Sequence, residues 1–406
     1  MGDRRFGRSS QREQYLTFNP APMRAPQTSG SRPQVVYVVP VLHPAGAERI
    51  VAHLGRRVPG HGFSTSVICL EDEQAMIGRE LAESGVQVTG LHVGRRRTLR
   101  CAAALRAALP RDRPLIVHAH LFHANLASRL AVAGMPAAAK QGIRTLSTVH
   151  VVERRFRPWQ FILDRLTAPH AAAEVCVSRA VARFQQKRTG LPATFFPVIE
   201  NGIDLARFTR PQRPRPQDPD RPHVVSVGRL GRQKDFPTLL RAWQAVNRAM
   251  PGARLTIAGE GPERKSLSVL SGSLRLRNVS MPGFVTDIPA LLHDADLYVQ
   301  PSAWEGFGLA VAEAMACGLP VIVSDCDSLP DLVEGGKSGV VVPRGQPAAL
   351  ADAILSLLHN TLGAEKLAQA AHEQAITRFS VDRMVSDYAR LYRELIDDIS
   401  MRRPPK

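Results

Sequence analysis

Two glutamates, Glu305 and Glu313, lie in a stretch whose residue types are suited to binding a charged molecule rich in hydroxyl groups. The stretch joins a strand-like run at 296–300 to another at 321–323, and a glycine-containing turn between them opens a short helix. Turn glycines let the backbone approach a ligand closely, and the first turn of a helix presents unpaired N–H groups. Carboxylates beside such a turn can accept hydrogen bonds from hydroxyl groups. The combination indicates a site for a molecule such as a sugar nucleotide.

A second candidate anion site follows the strand-like run at 224–227. Here, in a turn punctuated by Gly228 and Gly231, the cations Arg229 and Lys234 could hold phosphate at the carboxyl end of a strand. The turn has neither the GxxxxGK[ST] phosphate loop nor the full GxGxxG fingerprint, so neither nucleotide hydrolysis nor dinucleotide binding is indicated. Taken alone, a solvated basic turn explains these residues equally well.

Both turns need sheets to position them, and the rest of the chain carries the pattern of two. Residues 35–39 form an unbroken apolar run typical of a parallel strand buried on both faces, and a glycine-bearing loop and a helical pattern follow. Strand-like and helical segments then alternate to about residue 188, and again from residue 224. Five prolines at 211–222 interrupt the alternation, because proline continues neither a helix nor a central strand. The sequence therefore predicts an α/β fold, with two Rossmann-like doubly wound domains facing a cleft.

Composition contributes to two predictions: how the chain divides into segments, and which cellular compartment the protein occupies. The opening residues are rich in Arg, Ser, Gln and Pro without an apolar core, so we interpret them as disordered and not as a signal peptide. No run approaches the ~18 apolar residues of a membrane span. Five cysteines without metal-ligand spacing indicate buried free thiols in a reducing cytoplasm. The predicted segments are a disordered basic segment (1–32), a first Rossmann-like domain (33–208), a proline-rich linker (209–222), a second Rossmann-like domain (223–380), and a C-terminal helix with its tail (381–406).

The formal net charge of +17 restricts the partners. Such a charge is compatible with nucleic acid, an anionic membrane surface or a generally basic proteome. Nucleic-acid binding usually brings a recognisable module or interleaved aromatic residues, and aromatics are only 5% of this chain. We therefore expect no nucleic-acid partner.

Together, these stretches resemble the large retaining glycosyltransferase family 4, which has the GT-B fold. Glu305 and Glu313 match the EX7E signature of that family, and Gly228-Arg229 with Lys234 falls in family order. The resemblance runs from about residue 34 to about residue 398. It implies that the first domain holds the acceptor, that the second holds the donor, and that the C-terminal helix crosses back to the first domain. The other stretches in family order are Gly46-Ala47-Glu48-Arg49, Ser147-Thr148-Val149-His150, Asn201-Gly202-Ile203-Asp204 and Gly259-Glu260-Gly261-Pro262-Glu263.

The resemblance also implies a role for each matching residue. Arg229 and Lys234 would hold the donor diphosphate and neutralise the charge of the departing nucleoside diphosphate. Glu313 would accept from the ribose hydroxyls, and Glu305 would contact the hydroxyls of the donor sugar. His150 would contact the transferred sugar or its phosphate. The implied catalytic residues are therefore His150, Arg229, Lys234 and Glu305; the other donor contacts are Gly46, Glu313 and the backbone N–H groups of Phe307, Gly308 and Leu309.

The implied activity is transfer of a hexose-type sugar from a nucleotide-diphosphate donor to a glycan or lipid-linked glycan, with retained anomeric configuration. Front-face attack, with the leaving phosphate taking the acceptor proton, needs no dedicated nucleophile, in agreement with the absence of a glycosidase-like carboxylate pair. Neither a cofactor nor a metal is expected beyond the donor itself. The alternatives are a GT-B sugar-nucleotide 2-epimerase, which lacks this EX7E context, and a donor-binding protein without transfer activity.

Several of these residues also have a purely structural interpretation. Glu305 and Glu313 could be helix-start carboxylates favoured by the helix dipole. His118 and His120, at the end of a predicted strand, are either acceptor-side residues or strand-end polar groups, and the sequence does not separate the two. The pairs at 294–296 and 325–327 resemble DxD metal motifs, and we interpret both as structural.

The chain departs from the family pattern at two places. Ala45 stands where the family commonly has the first of two glycines, which adds a methyl group beside the expected diphosphate path. Asp327 and Ser328 stand where a Gly-Gly pair is common. The carboxylate of Asp327 would lie near a loop expected to face the donor, with a bearing on donor choice.

A basic stretch of the first domain suggests where a membrane partner would bind. Arg95, Arg96, Arg97 and Arg100 open a predicted helix that also carries apolar residues, and more basic and aromatic residues follow His150. Such a helix can lie on an anionic membrane surface, where each cation contributes ~1 kcal/mol. A solvated basic face explains the residues nearly as well. The hypothesis is a cytoplasmic enzyme that binds the inner face of the cytoplasmic membrane; the donor sugar and acceptor are not indicated by the sequence.

Overall fold

The computed structural model describes residues 32–94, 97–154, 156–211 and 218–401. Arg95, Arg96, the predicted disordered segment apart from Arg32, the middle of the predicted linker and the tail after residue 401 lie outside the described residues.

Two parallel six-stranded sheets form the framework. In the first sheet the strand order is β3-β2-β1-β4-β5-β6, and in the second it is β12-β11-β10-β7-β8-β9. Both have the doubly wound arrangement, so the predicted α/β fold with two Rossmann-like domains is confirmed. The strands are β1 (Gln34–Val39), β2 (Ser64–Cys69), β3 (Gln87–Gly90), β4 (Leu115–His120), β5 (Ile143–Val149), β6 (Ala173–Cys176), β7 (His223–Val227), β8 (Arg254–Ala258), β9 (Val279–Gly283), β10 (Leu297–Gln300), β11 (Val321–Ser324) and β12 (Val340–Val342).

The helices cover the sheets and connect their strands. Ser178 caps one of them: its hydroxyl accepts a hydrogen bond from the Val181 N–H at 3.2 Å. The helices are α1 (Gly46–Arg57), α2 (Met76–Glu83), α3 (Thr98–Ala108), α4 (Phe122–Ala133), α5 (Ala137–Lys140), α6 (Pro158–Thr167), α7 (Arg179–Thr189), α8 (Phe236–Ala249), α9 (Arg264–Ser273), α10 (Ile288–His293), α11 (Leu309–Ala316), α12 (Leu329–Leu332), α13 (Pro347–His359), α14 (Thr361–Arg378) and α15 (Val381–Met401).

Helix α14 was not predicted from the sequence, although it is 18 residues long. Its buried residues are Ala368, Ala371, Gln374 and Ala375, which are small or polar. A helix that packs through alanines has little apolar periodicity to detect.

Helix α15 crosses back to the first domain, as expected from the resemblance. The crossing begins where the Ile203 N–H donates to the Phe379 carbonyl at 2.8 Å and the Val381 N–H donates to the Ile203 carbonyl at 2.9 Å. Tyr388 and Tyr392 of α15 are fully buried in the core built on β1 and α1. The first domain therefore includes a helix from the far end of the chain.

A buried arginine ties the helices on one face of the first sheet to its strands. Arg129 of α4, only 1% exposed, donates to Asp164 of α6 at 2.6 Å and to Glu174 of β6 at 2.8 Å. Gln185 of α7 donates to Glu174 at 2.9 Å. We call Arg129, Ser147, Asp164, Thr167, Glu174 and Gln185 the buried arginine cluster.

All five cysteines are buried free thiols, as predicted. Among the described residues, none of the helices combines the length and the apolar character that crossing a membrane requires.

Candidate active site

The turn before α11 presents backbone donors at the carboxyl edge of the second sheet. Gly308 has φ +102, a conformation that side chains rarely adopt, and an added Cβ would lie 2.8 Å from Leu329. Within the described part of the chain, the N–H groups of Phe307 and Gly308 donate no hydrogen bond. Unpaired donors at a helix start favour an anionic or hydroxyl-bearing ligand.

Lys234 and Glu305 meet directly at this edge. The Lys234 Nζ lies 2.6 Å from Glu305 Oε2, and both side chains are largely buried. The resemblance implied that Lys234 holds phosphate and that Glu305 holds the sugar, and the structure places the two side chains in contact. Because both charges are largely buried, a ligand that displaces either partner must supply the charge that it removes.

A chain of buried hydrogen bonds fixes Glu305 from behind. The Tyr298 hydroxyl donates to Gln300 Oε1 at 2.7 Å, Gln300 Nε2 donates to the Ser302 hydroxyl at 2.8 Å, and Ser302 donates to Glu305 Oε2 at 3.2 Å. Sequence reasoning missed these residues. The strand period of two on β10 and just beyond it, which places Tyr298, Gln300 and Ser302 on one side, was the available signal.

Glu313 lies further along α11 and is partly exposed. Burial raises the pKa of its carboxyl to about 7, against the opposing effect of Arg207, Arg49 and Lys234. Its side chain makes no hydrogen bond with any described residue. Glu313 is therefore available to a ligand, and Arg207 is a nearby cation that the motifs did not reveal.

Arg229 is exposed and forms no ion pair or hydrogen bond with the described residues. The structure does not bring it into contact with Lys234 or Glu305. The turn that carries it is packed tightly against the next one: Gly259 has φ +142, and an added Cβ would lie 2.0 Å from the Gly228 carbonyl oxygen. These glycines hold two turns together and leave the guanidinium of Arg229 in solvent.

The first domain touches the turn before α11 at three places. An added Cβ on Gly46 would lie 3.0 Å from a Leu309 side-chain carbon, and one on Gly306 would lie 1.9 Å from the His150 carbonyl oxygen. The Ser178 hydroxyl donates to the Gly306 carbonyl at 2.6 Å. Gly46 and His150, which are more than a hundred residues apart in the sequence, therefore both lie beside the turn before α11.

Asp327 is engaged with protein groups on both of its oxygens. Oδ2 accepts from the Glu305 N–H at 3.0 Å, and Oδ1 accepts from Arg154 of the first domain at 2.7 Å. The residue has φ +45, a conformation that aspartate adopts more readily than most side chains. Its neighbour Ser328 donates to the Phe307 carbonyl at 3.1 Å. In place of a Gly-Gly pair, these two side chains brace the turn; an effect on donor choice stays a prediction.

The remaining aspartates of the DxD-like pairs have structural contacts. Asp296 accepts from the His223 N–H at 2.7 Å, and Asp294 accepts from the His223 ring at 2.9 Å. Asp325 accepts from the Arg344 N–H at 2.9 Å. Each therefore supports the second sheet.

Three histidines of the first domain form a continuous group. His120 Nδ1 lies 2.8 Å from His150 Nε2, and the His118 and His120 rings are 4.2 Å apart between centroids. His118 and His120 are fully buried, whereas His150 is partly exposed. Burial lowers the pKa of His150 to about 3 and that of the other two well below the usual value. We call these three residues the histidine ladder.

Two family models match adjoining parts of the chain. The model described as Glycosyltransferase Family 4 matches residues 44–207, and the model described as Glycosyl transferases group 1 matches residues 209–376.

Curated relatives are about a third identical to this chain over the segments that match. A glycogen synthase of Mycobacterium tuberculosis is 35% identical over 199 residues, which are 48% of this chain and 47% of the relative. A phosphatidyl-myo-inositol mannosyltransferase of Mycobacterium leprae is 30% identical over 254 residues, 60% of this chain and 63% of the relative. The chain thus spans about half the length of the first curated relatives it matches.

Solved structures support the fold. Anabaena Alr3699/HepE, crystallised in complex with UDP and glucose, superposes with a TM-score of 0.76 at 20% identity, covering 88% of this chain and 98% of that one. At this identity the likeness shows a shared architecture, and it confirms the predicted GT-B fold.

Proposed function

Because the chain belongs to the group 1 glycosyltransferases, with a family 4 type first domain, we propose that it transfers a hexose-type sugar from a nucleoside-diphosphate donor to a glycan or lipid-linked glycan. We also propose that transfer retains the anomeric configuration and serves surface polysaccharide or glycolipid assembly. The observation that carries the proposal is the Lys234–Glu305 pair, 2.6 Å apart, beside a helix start where the N–H groups of Phe307 and Gly308 donate to no described residue.

On the donor side, cations and open donors lie close together. Lys234 would leave Glu305 in part to neutralise the diphosphate, and Arg229, exposed and without a protein partner among the described residues, would join it. Positive charge aimed at a departing phosphate stabilises the transition state more than the ground state. Glu305 would then be available to the sugar hydroxyls, with the N–H groups of Phe307, Gly308 and Leu309.

The remaining contacts would complete the donor site. Glu313, with no hydrogen-bond partner among the described residues, would accept from the ribose hydroxyls. Gly46 and His150 lie against the turn before α11, so they would approach the same ligand from the first domain. The UDP and glucose held by Alr3699/HepE support the donor class, and the name of the M. leprae mannosyltransferase supports a lipid-linked acceptor.

Two variants of the donor site test the proposal. The purified protein is first screened by thermal shift against UDP-, GDP- and ADP-sugars, since a ligand at ~100 times its dissociation constant stabilises by ~2.7 kcal/mol. Transfer is then measured with the donor that binds, and NMR of the product reports the anomeric configuration. We expect Lys234→Ala and Glu313→Ala each to lower transfer at least ~100-fold, the scale of losing one transition-state contact.

Matched controls separate site effects from fold effects. Lys265→Ala and Glu365→Ala remove the same residue types from exposed positions on α9 and α14, and they should leave transfer unchanged. Full activity in Lys234→Ala and Glu313→Ala would overturn the assignment. Donor binding without transfer to any glycan would identify a binding protein instead.

We further propose that the first domain binds an anionic membrane surface. Arg97 is exposed beside α3, and Leu99 and Arg100 on the helix are exposed as well. Trp159, Ile162 and Leu166 form an exposed apolar stripe on α6, at 51%, 57% and 66% exposure. Exposed apolar residues and exposed arginines are both features that suit the interface of a bilayer.

Vesicle sedimentation tests the membrane proposal. Wild-type protein should bind vesicles containing phosphatidylserine at low salt and bind phosphatidylcholine vesicles much less. Trp159→Ser with Ile162→Ser should weaken this binding, whereas Leu362→Ser, an exposed leucine on α14 of the second domain, should not. Equal binding to both vesicle types would contradict the proposal.

A further inference from the structure

We propose that His120 is a positioning residue, which holds the His150 ring in one orientation and in the tautomer that carries its proton on Nδ1. The inference deepens the proposed function, because it rests on His150 contacting the transferred sugar or its phosphate. It concerns the state of the ring before any ligand binds.

The strands place the two rings side by side. On β4, His118 and His120 share one face because strand side chains alternate. In the register between β4 and β5, His120 pairs with Thr148, and His150 follows just after β5. The His120 and His150 rings are stacked with centroids 5.1 Å apart, and a single contact of 2.8 Å joins His120 Nδ1 to His150 Nε2.

Only one proton can lie between these two nitrogens, and the burial of His120 Nε2 indicates which ring carries it. If His150 donated, His120 would carry its own proton on Nε2, which is buried and has no partner among the described residues. A buried N–H without an acceptor is among the rarest features of native structures. If His120 donates from Nδ1, the unpartnered Nε2 is a lone pair instead. We therefore assign the shared proton to His120 Nδ1.

The His150 tautomer follows from this assignment. Its Nε2 accepts, so a neutral His150 carries its proton on Nδ1. Burial lowers the pKa of His150 to about 3, which keeps the ring neutral at physiological pH. His150 thus offers an N–H to an oxygen of the donor; as a neutral donor it is unsuited to act as a general base.

Groups behind His120 prevent its ring from turning. His118, whose ring centroid lies 4.2 Å from that of His120, is held at both nitrogens: Nδ1 lies 2.7 Å from the Tyr392 hydroxyl, and Nε2 lies 2.7 Å from the Thr148 hydroxyl. Thr148 in turn lies 3.1 Å from the Tyr388 hydroxyl. The Tyr37 ring packs against both histidines. A buried network that runs from α15 to the carboxyl ends of β4 and β5 therefore sets the orientation of His120.

Nitrogen-15 NMR of the full-length protein, labelled at histidine, tests the tautomer directly. At neutral pH without donor, we expect the His150 signals to show a protonated Nδ1 and an unprotonated Nε2, and those of His120 to show the same tautomer. His150→Asn and His120→Asn identify which signals belong to which ring. A His150 ring protonated at Nε2, or at both nitrogens, overturns the proposal.

Two substitutions of His120 connect the tautomer to the reaction. In His120→Asn, the side-chain amide takes the place of Nδ1 as a donor, so the His150 tautomer should persist and kcat/KM should stay within about 10-fold of wild type. In His120→Phe, the ring shape remains without the donor. His150 should then sample both tautomers, and kcat/KM should fall ~100-fold, the size expected for a misplaced contact.

The outcomes distinguish this inference from the proposed function. His170→Asn, an exposed histidine away from the ladder, should change neither readout. If the wild-type protein transfers no sugar, the proposed function fails, while the tautomer measurement still decides the role of His120. An unchanged tautomer and unchanged kcat/KM in His120→Phe would overturn the inference. Should His120→Phe fail to fold, the wild-type spectrum and His120→Asn decide it.

Discussion

The buried arginine cluster and the proposed donor site both contain cations and carboxylates. They differ in how many hydrogen-bonding positions of these groups are occupied by other protein groups. In the cluster, both oxygens of Asp164 and both oxygens of Glu174 accept hydrogen bonds from Arg129 or Gln185. In the donor site, Lys234 has one carboxylate partner, and Arg229 and Glu313 form no hydrogen bond with any described residue. The charged groups of the two regions are alike, but more of their hydrogen-bonding positions are occupied in the cluster than in the proposed donor site.

The difference separates charges that build the fold from charges that await a ligand. The two carboxylates of the cluster have partners on both oxygens, although Arg129 Nε has none among the described residues. Removal of the arginine would leave these buried carboxylates uncompensated. A charge with open bonding positions adds little to the fold and can turn to a ligand instead. We therefore expect substitutions in the cluster to act on stability and substitutions in the donor site to act on transfer.

The largest expected effect on stability lies in the cluster. Arg129→Met would leave Asp164 and Glu174 buried without a cation and lower the free energy of unfolding by about 3–5 kcal/mol. Urea denaturation followed by circular dichroism measures the loss, and transfer per folded molecule should stay near wild type. Adding Asp164→Asn and Glu174→Gln should restore part of the stability. A loss of under about 1 kcal/mol from Arg129→Met would contradict the contrast drawn above.

A smaller effect of opposite sign is expected at Glu313. Its pKa is about 7 in the fold and about 4.5 when unfolded, so the fold prefers the protonated carboxyl. The stability that the protonated carboxyl contributes is fully present below pH 4.5 and is lost as the pH rises through 7. Because the side chain is partly exposed, Glu313→Gln should stabilise the protein by about 1–3 kcal/mol at pH 8 and by almost nothing at pH 4.

Thermal unfolding at the two pH values checks this expectation. Glu365→Gln, at an exposed position on α14, serves as the control and should not change the pH dependence. A Glu313→Gln protein that is equally stable to wild type at pH 8 would show that the donor-site carboxylate carries no cost in the fold.

The smallest effect is expected where a charge pair joins the two domains at the surface. The Arg154 side chain is 43% exposed, so its pair with Asp327 should contribute about 0–1 kcal/mol. A double-mutant cycle of Arg154→Ala and Asp327→Asn measures the coupling, and Asn retains an acceptor for the Glu305 N–H. The coupling should disappear near 1 M salt, where the screening length is about 3 Å. A coupling above about 2 kcal/mol would place this pair with the buried cluster.

The residues of the proposed donor site could be picked out from the sequence because their spacing is local. Glu305 and Glu313 lie in one turn and the helix that follows it, and Arg229 and Lys234 lie in a single turn. These motifs can therefore be recognised without knowledge of the fold. The α/β fold was equally visible, because buried parallel strands are continuous apolar runs.

The buried arginine cluster had no such signal. Its members come from α4, β5, α6, β6 and α7, and only the folded sheet brings them together. The histidine ladder lies between these cases. The spacing of His118 and His120 placed them on one face, but their contact with His150 depends on the register between β4 and β5.

The return of α15 to the first domain has a consequence for biosynthesis. A ribosome makes β1 to β6 early and α15 only after the whole second domain. Until then, the nascent first domain exposes the apolar surface that Tyr388 and Tyr392 later cover, a surface open to chaperones and to misassembly. A chain interrupted within the second domain lacks α15, so neither its first nor its second domain can be completed. Only a chain synthesised through α15 can bury this apolar surface.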